Sequence, residues 1–79
     1  MIRSRFGVLL AEKSHTEGRR ITYMTVVQET GLSKSTLVRL NAPNFGTAGD
    51  GVRMDTLDTL CGYFGCAVGD ILEHVPGRG

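Results

Sequence analysis

The sequence predicts a small all-α domain of five short helices, and three observations carry that expectation. Apolar residues recur at spacings of three and four in separate short stretches along the chain, which is the period of a helix with one face in a core. Small polar residues that cap helix starts and glycines that end them fall at the boundaries of those stretches. The one stretch with strand-forming content, residues 21–27, has no second stretch of comparable strength to pair with, and a lone strand is not stable.

The first helix is expected from Ile2 to Lys13, because Ile2, Phe6, Leu9 and Leu10 follow one helical stripe. Gly7 falls inside it at a cost of about 1 kcal/mol relative to alanine. Ser14 to Arg20 is polar, contains a glycine and reads as a loop. In ITYMTVV at 21–27 the β-branched and aromatic residues favour a strand. Thr22 is nevertheless a good N-cap, and Tyr23, Val26, Val27 and Thr30 share one helical face. Gly31 stands where a left-handed residue would stop that helix. Ser33 then caps a third helix, in which Leu37 and Leu40 point inward and Lys34, Ser35, Val38 and Arg39 lie on the other faces.

Asn41 to Gly51, NAPNFGTAGDG, is a loop by its proline and glycines, expected to be mobile until a phosphate or a second protomer orders it. Those glycines are not a phosphate cradle, since no G-K-[ST] ending follows and no strand leads in. Met54, Leu57, Leu60, Cys61 and Phe64 mark a fourth helix that Gly65 closes. A fifth is expected from about Ala67 to His74, carrying Val68, Ile71 and Leu72, with Val75 next in line before Pro76-Gly77 ends the order. The domain should thus occupy residues 1–76, with 77–79 a disordered tail. Its expected core is Phe6, Leu9, Leu10, Val26, Leu37, Leu40, Leu57, Leu60, Phe64 and Leu72.

Composition narrows the function. At 79 residues, 41% hydrophobic and 22% charged, the chain suits one globular domain. Its longest apolar runs fall far short of the roughly 20 residues that span a bilayer, and Val8 to Ala11 is too brief a run for a signal peptide. A cytoplasmic location is expected. The two cysteines, Cys61 and Cys66, are too few for a disulfide scaffold. With His74 they give C-x4-C-x7-H, three possible ligands where structural zinc takes four, so no metal and no cofactor is expected. No grouping of Ser, Cys, His or carboxylate reads as a catalytic unit, so an enzyme is not expected either. Net charge is only +1, yet residues 1–41 carry seven Lys/Arg against three Glu, and residues 42–79 two Arg against five acids. A near-neutral chain with one basic half has a candidate polyanion face.

Two short helices joined by a glycine turn make a helix-turn-helix. Val27 lies four residues before Gly31, and Leu37 and Leu40 lie six and nine after it. With TYMTVVQETGLSKSTLVRL at 22–40 and RMDTLDTLCGYFGCAVGDILEHV at 53–75, the chain resembles the lambda-repressor-like, XRE-type family of Cro and phage repressors. The resemblance covers nearly the whole chain and implies a compact five-helix domain whose helices 2 and 3 form the motif. It departs from the family pattern in Tyr23, where a phosphate-holding glutamine is usual, in Val27, where alanine is usual, and in the longer loops at 14–21 and 41–51.

The resemblance implies a sequence-specific DNA-binding transcriptional regulator, most simply a repressor. Its helix at about 33–41 would enter the major groove of double-stranded DNA. Base contacts are expected from Lys34, Ser35, Thr36 and Arg39, with Val38 suited to a thymine methyl. Phosphate contacts are expected from Arg19, Arg20, Thr22, Tyr23, Asn41 and Asn44. A homodimer on a pseudo-palindromic operator would follow, joined through Ile71, Leu72 and Val75 or through the loop with Phe45. The alternative is a helical protein-interaction module, such as an antitoxin or an adaptor that has lost DNA reading.

Overall fold

A computed structural model describes residues 2–42 and 51–76. The order is β1 (Ile2–Ser4), α1 (Phe6–Glu17), α2 (Tyr23–Thr30), α3 (Lys34–Leu40), α4 (Met54–Phe64), α5 (Val68–Ile71) and β2 (Leu72–His74). The five expected helices are present and residues 23–30 are helical, but the all-α expectation is corrected by a two-stranded antiparallel sheet. Its register pairs Ile2 with His74, Arg3 with Glu73 and Ser4 with Leu72.

The sheet changes both ends of the chain. The expected helix from Ile2 begins instead at Phe6, whose N–H donates to Ser4 Oγ at 3.2 Å, while the Arg5 N–H donates to the Ile71 carbonyl at 2.7 Å. Ser4 nearby, and Ile71 and the paired strand 72–74 from the far end of the chain, thus take the backbone groups that a longer helix would have used. Helix α1 also runs past Lys13 to Glu17. Ser14 Oγ donates to the Leu10 carbonyl at 2.8 Å and accepts from the Ile21 N–H at 2.9 Å. Gly18, at φ 65°, ends the helix. The expected last helix is one turn, after which Leu72 becomes strand.

The central helices follow their local signals. Thr22 Oγ1 accepts from the Thr25 N–H at 3.3 Å, and Thr25 Oγ1 accepts from the Thr22 N–H at 3.2 Å, a reciprocal cap. Gly31, at φ 80°, ends α2 with its N–H on the Val27 carbonyl at 2.9 Å. Thr30 Oγ1 donates to the Val26 carbonyl at 2.6 Å and accepts from the Leu32 N–H at 3.2 Å. Ser33 Oγ then accepts from the Thr36 N–H at 3.2 Å to start α3. Each donor and acceptor of this turn is close to home, which is why the sequence shows it.

The core among the described residues is Phe6, Leu9, Ile21, Val26, Leu37, Leu40, Leu57, Leu60 and Ile71. Leu10, Phe64 and Leu72, expected inside, are half-buried against it, and Ile21 and Ile71 join it. Phe6 stacks on Tyr23 with ring centroids 6.2 Å apart and meets Phe64 edge-on at 5.8 Å. The core therefore ties α1 to the first residue of α2 and to α4.

Candidate nucleic-acid interface

Leu37 and Leu40, both essentially without exposed surface, press one side of α3 into the core. The opposite side carries Lys34, Ser35, Val38 and Arg39, all exposed. At roughly 100° per residue these four fill an arc of roughly 140°. Lys34 and Arg39 stand at its edges, with Val38 and Ser35 between them.

Thr36 lies outside that arc. It is half-buried, its Oγ1 is 2.7 Å from Ser33 Oγ, and it lines the cleft between α3 and the start of α4 with Arg53 and Thr56. Its hydroxyl thus belongs first to the helix cap, a use that residue type alone does not reveal. Arg53, not singled out in the sequence, opens onto the same surface beside Arg39. It is exposed and pairs with Asp55 at 3.0 Å. No sequence signal marked Arg53, because only the fold brings residue 53 next to residue 39.

Tyr23 and Asn41 come together across α2 and α3. Asn41 Nδ2 donates to Tyr23 Oη at 2.7 Å, which leaves the phenol proton free to donate outward. Stacking on Phe6 holds the ring in place. The same asparagine explains Gly7, since a Cβ there would stand 2.8 Å from Asn41 Oδ1. Thr22 is exposed, with its hydroxyl engaged in the cap. Asn44 and Phe45 lie outside the described residues, as do most of the loop 41–51 and the tail 77–79.

The arginines before α2 differ sharply. Arg19 donates to Glu29 with both terminal nitrogens, at 2.9 and 3.0 Å, and from Nε to Glu17 at 2.8 Å. Tyr63 donates to Glu29 at 2.5 Å, and Lys13 pairs with Glu17 while its Nζ lies 4.4 Å from the Tyr63 ring centroid. Two cations and two carboxylates thus balance in a closed circuit joining α1, α2 and α4. Arg19 is spoken for, whereas the side chains of Arg5, Arg20, Lys34 and Arg39 have no carboxylate partner among the described residues. Arg3 pairs with Glu73 of the acidic half, so these four are the cations of the basic half without a carboxylate partner among the described residues.

The circuit predicts an acid response. Hydrogen bonds from Arg19, then from Tyr63, hold the Glu29 carboxyl down at about 2. A depressed folded-state value stabilises above the ordinary value of 4.5 and is lost as pH falls through the folded one. Stability should therefore fall between about pH 4.5 and pH 2, and Glu29→Gln should flatten that fall in thermal melts. Burial, then Glu29, pushes the Tyr63 phenol up to about 12, so its contribution is full below pH 10 and lost above 12. An acid limb unchanged in Glu29→Gln would place the response elsewhere.

The apolar residues expected to join two protomers are largely used within one. Ile71 is fully buried and Leu72 is paired in the sheet, because helical spacing alone does not separate an inward face from a dimer face. Among the described residues, no three His, Cys, Asp or Glu side chains converge to hold a metal, and no helix is long and apolar enough to cross a membrane.

The family model for the Cro/C1-type HTH DNA-binding domain matches residues 17–77, more than half of the chain. No curated protein and no solved structure matches it.

Proposed function

The chain belongs to the Cro/C1-type HTH DNA-binding family, and on that premise we propose a transcriptional regulator, most simply a repressor, that reads the major groove with α3. The observation that carries this reading is the exposed arc of Lys34, Ser35, Val38 and Arg39 on a helix clamped from behind by Leu37 and Leu40. Lysine and arginine suit guanine O6 and N7, and serine both donates and accepts. The short Ser35 side chain lets the helix axis approach the base edges.

Around this arc, Tyr23 offers a free phenol proton and Arg20 an uncompensated charge to the phosphates, which set register. Arg53 borders the arc beside Arg39, with its charge compensated by Asp55. Arg19 serves the domain's own circuit first. With few free cations to release counterions, one copy binds weakly. A homodimer on half-sites about one helical turn apart answers that weakness. The protein acts in the cytoplasm, without catalysis and without a cofactor.

Selection of bound sequences from random duplex DNA, followed by gel shift, tests the proposal. A consensus of two inverted half-sites is the expected outcome. Recovery of no consensus, with weak binding that disappears in moderate salt, would instead favour a protein-interaction module.

A further inference from the structure

We infer that Cys61 and Cys66 form a site of reversible oxidation, where a low-molecular-weight disulfide converts their two thiols into an intramolecular disulfide. Gly65, at φ 66°, ends α4 and turns the chain back on itself. The N–H groups of Gly65 and Cys66 converge on the Cys61 carbonyl, the second at 3.0 Å. A helix end closed in this way brings the side chains of its first and last residues together, and an apolar contact commonly fills that place. This chain has two cysteines in 79 residues, and both occupy the two positions that meet.

Both thiols are free and half-buried against the core. Burial, then the nearby Cys61 sulfur, pushes the Cys66 thiol up, an independent sign that the two lie close. Around them Gly62, Gly65, Ala67 and Gly69 are exposed, with no side chain longer than a methyl, so these neighbours do not shield the sulfurs from a small reagent. Packing explains two small half-buried side chains, but not their coincidence at the two ends of one ring closure. The Cys66 thiol, held protonated, is less available as a thiolate, so Cys61 attacks first. Cys61 loses its proton to water, displaces one thiolate from the small disulfide and forms a mixed disulfide. Cys66 then gives up its own proton, attacks the Cys61 sulfur and expels the second thiolate. The released thiolates take up the protons, so two protein thiols are oxidised and one disulfide is reduced to two thiols.

The experiment uses the full chain, reduced, equilibrated in glutathione buffers of set thiol-to-disulfide ratio, quenched in acid and alkylated. Trypsin leaves both cysteines in one peptide, since no Lys or Arg lies between Arg53 and Arg78. That peptide should become lighter by two hydrogens and take up no alkylating reagent. Closure should be favoured in the folded chain over the urea-unfolded chain by roughly tenfold or more, because the turn places the sulfurs in advance. Cys61→Ser and Cys66→Ser should never lose the two hydrogens and should stop at a glutathione adduct. Two separate glutathione adducts on wild type, or a bond between two chains, overturns the inference. So does closure that is no more favourable in the folded chain than in urea, a comparison that needs no variant.

Discussion

Phe6→Ala is expected to destabilise the domain by about 3–5 kcal/mol. The side chain has no exposed surface and lies between the rings of Tyr23 and Phe64. Its removal leaves a cavity where α1, α2 and α4 meet, and also frees the Tyr23 ring that Asn41 bonds. Small domains are stable by roughly 5–15 kcal/mol in all, so the variant should lose a large part of its folded population. A fall in Tm of about 12 °C or more should appear by circular dichroism. Phe6→Leu, nearer in volume, should cost much less. A Phe6→Ala protein melting within a few degrees of wild type would show that this junction is not where the core is held.

The largest expected effect on binding comes from Lys34→Ala and Arg39→Ala. Each side chain is exposed, has no carboxylate partner among the described residues and stands at an edge of the exposed arc of α3. If each meets a guanine, each substitution should lower affinity for the selected duplex by about 1–3 kcal/mol and relax preference at one base pair. Arg20→Ala should weaken all sequences alike and make the salt dependence shallower by about 0.9 unit, the share of one phosphate left without its cation. Arg19→Ala should change that slope less, because Glu17 and Glu29 already compensate its charge. Anisotropy titrations on selected and scrambled duplexes at several salt concentrations separate these outcomes. Equal reductions on both duplexes for Lys34→Ala and Arg39→Ala would reduce α3 to an electrostatic handle.

What the sequence revealed of this interface is what neighbouring residues decide among themselves. Thr22, Gly31 and Ser33 each act within a few residues, so the turn and the start of α3 were legible. Leu37 and Leu40 at helical spacing settled which side of α3 turns inward, and thereby which residues form the arc. The ends of the chain were not legible. Ile2 lies four residues before Phe6 and so joined its stripe by spacing, but the pairing of residues 2–4 with 72–74 spans the whole chain. The circuit around Arg19 was hidden for the same reason, since its partners come from three helices and only the fold brings Glu29 and Tyr63 together. Thr36 shows a subtler limit: its residue type suits a base contact, but its place three residues after Ser33 gives its hydroxyl a partner in the cap.

The central claim is that the arc of α3 faces base edges in the major groove. Nuclear Overhauser effects between the isotopically labelled protein and the selected duplex test it most directly. Contacts from the side chains of Lys34, Ser35, Val38 and Arg39 to thymine methyl and cytosine H5 protons, which line the major groove, are the expected result. Contacts to DNA confined to α5 and the β1–β2 sheet, with none from α3, would contradict it.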